Sequence, residues 1–185
     1  NGADVDLFVR AQSGPEISRY SADSKSTIIF VGAFQPWHSL DLLLEAFHLV
    51  ASANAAARLL LVGDGPLRAD IENRVGSLQL EERVIFTGNV PHQEVAALLS
   101  TAQVAVLSHR PSAAATSGTP LKLLEYMAAG KAIVAPALPN LEQVLTHRVT
   151  GLLVPPDDLK ALAHALHELL NDNENLNQNS PMKKY

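Results

Sequence analysis

The sequence predicts an α/β fold, in which helices cover both faces of a six-stranded, mainly parallel sheet in a three-layer αβα arrangement. Two observations predict this class. Six short apolar runs alternate with helix-patterned segments over roughly 145 residues, and most of the runs end in glycine or lead directly into a turn. In such folds a ligand binds beyond the carboxyl ends of the strands, where the strand order reverses.

The composition fits one ordinary domain and excludes several functions. The chain has 185 residues, of which 47% are apolar, so it can bury a sizeable core. Its net charge of −5 argues against a nucleic-acid partner. It has no cysteine, which excludes a disulfide framework and a thiolate metal site and fits a reducing compartment. No apolar run reaches the length of a membrane span.

The predicted strands are short and apolar, as buried parallel strands are. They cover residues 27–32, 58–63, 83–88, 103–107, 131–135 and 151–154. The predicted helices follow these strands in turn. They cover residues 40–50, 67–78, a segment after the 89–91 turn that ends at 99, 120–129, 138–145, and a segment capped by residues 155–158 that ends at 170. We expect residues 1–24 to be a lead-in segment, residues 25–172 to form the domain, and residues 173–185 to be a polar tail.

The fourth of these helices carries the chemistry that the sequence makes most visible. Thr119 is a candidate N-cap, Pro120 fits the first helical position, and Gly130 follows the last periodic residue. Lys122 and Glu125 lie three residues apart and therefore on one face. A lysine in the first turn opposes the helix dipole, unless an anion binds there. The alternative is a solvated ion pair without a function.

Four turns follow predicted strands and should meet at one edge of the sheet: 32–38, 63–66, 88–91 and 108–118. Their shared position is stronger evidence for a binding site than any one motif. Gly63-Asp64-Gly65 is not a dinucleotide fingerprint, because it lacks the third glycine and follows the second strand.

These motifs, in this order, resemble the C-terminal, nucleotide-sugar-binding half of a GT-B-fold retaining glycosyltransferase of family 4, the glycosyl transferases group 1. The resemblance covers nearly the whole chain, in segments 1–8, 31–47, 61–66, 84–88, 120–130 and 151–154. It implies a Rossmann-like fold and a nucleotide-sugar, either a UDP-sugar or a GDP-sugar, as donor.

The resemblance also implies a role for individual residues. Glu125 matches the carboxylate that binds the ribose hydroxyls, and Lys122 adds positive charge near the diphosphate. His38, Lys122 and Glu125 are thus the candidate catalytic residues. The turn at Asn89 and Val90 would lie by the base. The full set of candidate donor-binding positions is Gly32, Ala33, Gly63, Gly65, Asn89, Val90, Ser117, Gly118, Thr119, Pro120 and Leu121.

The sequence departs from the family pattern at four of its positions. Ser117 stands where the first of two acidic residues, eight apart, is often found. Ala33 and His38 replace the usual arginine and lysine after the first strand, and Ser39 replaces a glycine. We interpret His38 as a replacement phosphate contact. On that interpretation its pKa rises beside a diphosphate, and nucleotide binding weakens above neutral pH.

The resemblance implies transfer of a sugar to an acceptor hydroxyl with retention at the anomeric carbon. The acceptor site would lie on an N-terminal domain of the same protein, so we expect this piece to bind nucleotide without turnover. No cofactor or metal is expected. Two alternatives remain: a non-catalytic nucleotide- or sugar-binding module, and a sugar-nucleotide epimerase of the same fold. We expect a cytoplasmic location, with any attachment to a membrane surface made through the N-terminal half.

Overall fold

A computed structural model of the chain describes residues 26–112 and 120–171. Six strands form the sheet: β1 (Thr27–Val31), β2 (Arg58–Val62), β3 (Val84–Gly88), β4 (Val104–Val106), β5 (Ala132–Pro136) and β6 (Leu152–Val154). Within the described residues, six α-helices follow the strands in turn: α1 (Leu40–Ala53), α2 (Arg68–Ser77), α3 (His92–Ser100), α4 (Leu121–Ala128), α5 (Pro139–Glu142) and α6 (Leu159–Asn171). A 3-10 turn, Pro36–His38, precedes α1.

The sheet has the strand order β3-β2-β1-β4-β5-β6, and every pair of neighbouring strands is parallel. The order reverses between β1 and β4, which pair through Ile28 with Val104 and Ile29 with Ala105. In a doubly wound sheet the crevice at this reversal is the expected ligand site. The turn after β1 and the loop after β4 therefore flank the crevice.

The side chains of each strand alternate between two separate cores, because successive residues of a strand point to opposite faces. On β1, Ile28 and Phe30 pack with α1, α2 and α6, and all three helices contribute buried leucine, isoleucine or valine to this core. Ile29 packs with α3, α4 and α5 on the other face. The three-layer arrangement predicted from the apolar runs is confirmed.

The element boundaries agree with the prediction to within a few residues. The largest differences are at α5, which spans four residues instead of the predicted eight, and at α1, which continues three residues further. Pro120 does not open α4 but precedes its first residue, with an extended ψ of 131°. Gly130 closes the helix at a positive φ of 62°, a conformation that favours glycine.

Some predictions fall outside the described part of the chain. These are the lead-in segment 1–24, the polar tail 173–185 and the N-cap role of Thr119. Among residues 26–112 and 120–171, no helix is both long enough and apolar enough to cross a membrane.

Candidate functional site

The turns after β1 and β2 are joined by backbone hydrogen bonds. The amide of Gly32 donates to the carbonyl of Val62, and the amide of Phe34 donates to the carbonyl of Asp64, both at 2.9 Å. A Cβ at Gly63 would lie 2.2 Å from the Gly32 carbonyl oxygen, and one at Gly65 would lie 2.6 Å from the Phe34 amide nitrogen. Both glycines are thus required for close backbone packing, while their contact with a donor stays a prediction.

Lys122, in the first turn of α4, reaches across the crevice to the turn after β1. Its Nζ lies 3.2 Å from Nε2 of His38 and 5.3 Å from the centre of the Phe30 ring. A Cβ at Gly32 would lie 2.4 Å from that Nζ, so the missing side chain of Gly32 leaves the space that the amine occupies. Burial lowers the pKa of Lys122 to about 8, while the negative charge of Glu125 opposes the shift.

His38 holds this lysine as a neutral hydrogen-bond acceptor. Its Nδ1 lies 2.5 Å from the carbonyl oxygen of Ala33, and its Nε2 faces the Lys122 amine. A carbonyl only accepts and an ammonium only donates, so Nδ1 carries the proton and Nε2 accepts. Burial, and then the charge of Lys122, lower the pKa of His38 to about 4.

The surroundings of His38 thus lower its pKa, whereas we expected from the sequence that a bound diphosphate would raise it. Both ring nitrogens already have partners. The direct contact between His38 and a phosphate stays a prediction, and the structure adds a second role, because His38 orients Lys122.

A second histidine, His109 in the loop after β4, packs edge-on against His38 with ring centres 4.8 Å apart. It is 8% exposed, and its Nδ1 has no hydrogen-bond partner among the described residues. Burial, followed by the charge of Lys122, lowers its pKa to about 3. Both imidazoles are therefore uncharged at neutral pH, and Lys122 carries the positive charge of this cluster.

Glu125 lies one turn further along α4 and is only 5% exposed. Its Oε1 accepts a hydrogen bond from Nε2 of His92, the first residue of α3, at 2.8 Å. The alternative of a solvated Lys122–Glu125 pair is thus wrong: the carboxylate is buried and pairs with His92, while the amine of Lys122 bonds His38.

The next residue, Tyr126, fixes α4 to the end of β1. Its hydroxyl accepts a hydrogen bond from the backbone amide of Val31 at 2.9 Å, and the residue is fully buried. Because Tyr126 is on the same helix as Lys122 and Glu125, this bond sets the height of both charged groups above the sheet. No sequence signal pointed to it.

The remaining candidate residues lie around this cluster. Asn89 is exposed in the turn after β3, and Val90 beside it is partly buried. Leu121 is 49% exposed at the start of α4. Ser117, Gly118 and Thr119 lie outside the described residues. Among those that are described, no group of three histidine or carboxylate side chains is placed to hold a metal ion.

A second, largely apolar cleft is lined by His109 and lies at the ends of β5 and β6. Pro136 and Pro155 line it together with the side chains of Asp157 and Asp158. Two carboxylates line this cleft, one of them paired with Arg110, and none of its described lining residues is a lysine or an arginine. The Lys122 side of the crevice, in contrast, combines a cation with the exposed Ala33 of the turn after β1, so we place the candidate site there.

Comparison with known proteins gives a consistent result. Residues 25–172 match the family model described as glycosyl transferases group 1. The chain is 33% identical over 171 residues to a phosphatidyl-myo-inositol mannosyltransferase of Mycobacterium leprae, covering 92% of this chain and 43% of that protein. It is 28% identical over 156 residues to an alpha-D-kanosaminyltransferase of Streptomyces kanamyceticus. That match covers 84% of this chain and 39% of that protein.

Among solved structures, the chain is similar to Anabaena HepE in complex with UDP, with a TM-score of 0.81 and 18% identity. The match covers 99% of this chain and 49% of that one. At this identity the likeness shows the fold alone. The chain spans less than half the length of each of these three proteins. The family match covers most of the sequence, and the chain therefore belongs to the glycosyl transferases group 1 family.

Proposed function

We propose that the chain is the nucleotide-sugar-binding half of a retaining glycosyltransferase, with a UDP- or GDP-sugar as donor. The observation that carries the proposal is the pair of charged groups on α4. The Lys122 amine faces the end of β1, and the Glu125 carboxylate lies one turn further along the same helix. This spacing suits a diphosphate at the start of the helix and a ribose beside the carboxylate.

In the transfer, the bond between the sugar's anomeric carbon and the diphosphate oxygen breaks, a bond from that carbon to the acceptor oxygen forms, and the acceptor hydroxyl releases its proton. Negative charge develops on the leaving diphosphate. Lys122 is placed to stabilise that charge from a partly buried position, where an ion interacts more strongly than in water. His38 orients the amine as an uncharged hydrogen-bond acceptor, so it leaves the positive charge of Lys122 available to the diphosphate.

An N-terminal domain of the same protein would supply the acceptor site and the remaining catalytic groups. The proposal thus includes donor binding by this chain without turnover, a cytoplasmic location, and no requirement for a metal or cofactor. UDP is the first nucleotide to test, because the structurally similar HepE was solved with it.

Thermal unfolding of the 185-residue chain with UDP, GDP and ADP tests donor binding. A nucleotide at 100 times its dissociation constant should raise the melting temperature by about 5–10 °C. Glu125→Ala should lose most of this increase. Glu81→Ala, an exposed carboxylate just before β3 at the opposite edge of the sheet, should retain it.

Failure of all three nucleotides to raise the melting temperature would contradict the proposal. Binding by this chain, combined with no transfer by the full-length protein, would instead support a non-catalytic binding module, for which Ser117 in place of an acid is the motivating observation.

A further inference from the structure

We infer that His92 is a positioning residue for Glu125: it holds the carboxylate in the orientation that receives the ribose hydroxyls. The inference rests on the proposed function and extends it to a residue that sequence reasoning did not single out. Its basis is the 2.8 Å hydrogen bond between Nε2 of His92 and Oε1 of Glu125.

The burial of Glu125 makes a fixed partner necessary. Its side chain is 6% exposed, whereas that of His92 is 55% exposed. A carboxylate that leaves water must be hydrogen-bonded or paired, otherwise the free energy of burying its charge is large. His92 supplies this bond from the more exposed side. The orientation of the carboxylate thus depends on the imidazole.

The position of His92 is itself well fixed. It is the first residue of α3, whose Val95, Ala96 and Leu99 are buried in the core that also contains α4. A side chain on a packed helix is held more rigidly than one on a loop. The imidazole is therefore presented to Glu125 by a neighbouring rigid element.

His92 also connects two parts of the proposed nucleotide site. It lies two residues after the Asn89–Val90 turn, the expected base-binding segment, and it bonds the expected ribose-binding carboxylate. With Oε1 engaged by His92, the second oxygen and the remaining lone pairs of Glu125 are the acceptors available to a pair of vicinal hydroxyls. Affinity for a ribonucleotide should then depend on His92 through Glu125.

A double-mutant cycle measured by calorimetry tests this dependence, with UDP and 2′-deoxy-UDP as ligands. His92→Ala should weaken UDP binding about tenfold, and His92→Gln, whose amide can still donate, should restore it to within about twofold. The ratio of UDP to 2′-deoxy-UDP affinity should fall in His92→Ala. In the Glu125→Ala background, removal of His92 should cause no further loss. Gln93→Ala, the exposed neighbour, should bind as the unmodified chain does.

The outcomes separate the inference from the proposed function. If the unmodified chain binds no nucleotide, the proposed function fails. If it binds UDP through Glu125 but His92→Ala leaves the affinity and the ribose preference unchanged, this inference is overturned and the proposed function stands. Tighter binding by His92→Ala would also overturn it, since His92 would then obstruct the carboxylate. Equal urea denaturation midpoints for the variants establish that affinity, not folding, has changed.

Discussion

Nucleotide affinity should fall as the pH rises through about 8, because of Lys122. Burial lowers the pKa of this amine from 10.5 to about 8 in the free protein. A bound diphosphate favours the charged amine and raises its pKa again. Binding above pH 8 must therefore take up a proton, and the apparent dissociation constant rises as the charged fraction of Lys122 in the free protein falls.

The size of the effect follows from that pKa. About three quarters of the free protein carries a charged Lys122 at pH 7.5 and about 3% at pH 9.5. The dissociation constant for UDP should therefore rise about 20-fold over this range, which corresponds to about 2 kcal/mol. The phosphate itself contributes little there, because its second pKa is about 6. His38 and His109, with pKa values of about 4 and about 3, remain neutral throughout.

Isothermal titration calorimetry at several pH values, in buffers of different ionisation enthalpy, measures both the affinity and the proton uptake. At pH 8 about half a proton should be taken up per UDP bound. Lys122→Met should bind weakly with little pH dependence. Lys131→Met is the matched control, since burial also lowers the pKa of Lys131 to about 8, but that amine bonds the carbonyls of Ser100 and Ala102 ahead of β4. A dissociation constant that stays constant from pH 7.5 to 9.5 in the unmodified chain would refute the reasoning.

Three further changes test the positions around the crevice. Ser39 adopts a left-handed backbone with φ 43°, and its buried hydroxyl has no hydrogen-bond partner among the described residues. Ser39→Gly should therefore stabilise the fold by about 1 kcal/mol in urea unfolding, and Ser39→Ala should give little of that gain. Equal effects of the two changes would contradict the role of backbone strain. Tyr126→Phe leaves the partly buried Val31 amide without its acceptor and should cost about 1–3 kcal/mol in the same assay. An unchanged midpoint would argue against that bond. Gly32→Ala should displace the Lys122 amine and weaken UDP binding about tenfold by calorimetry, and an unaffected affinity would show that the amine does not need this space.

The fold could be predicted because its signal is local. Each buried strand is a short apolar run followed by a turn, and the alternation of such runs with helices determines the parallel class. The spacing of Lys122 and Glu125 likewise placed both on one face of α4. The predicted start of that helix at Pro120 was wrong by one residue, since the fixed φ of proline suits both the first helical position and the residue before it.

The partners of the charged groups could not be predicted in this way. The bond between His92 and Glu125 joins residues 33 positions apart, and the bond between Lys122 and His38 joins residues 84 apart. Such contacts depend on how α3, α4 and the turn after β1 pack on the sheet. The direction of the His38 pKa depends on its depth of burial, which no sequence pattern gives. Ser117 to Thr119, the expected diphosphate-binding segment, remain a prediction from the resemblance.

The most direct measurement is a crystal structure of the chain with bound UDP. We expect the diphosphate in the crevice between β1 and β4, with a phosphate oxygen about 3 Å from Nζ of Lys122 and a ribose hydroxyl at the same distance from the Glu125 carboxylate. UDP bound elsewhere, for example in the cleft at the ends of β5 and β6, or a Glu125 that contacts no hydroxyl of the ribose, would contradict this expectation.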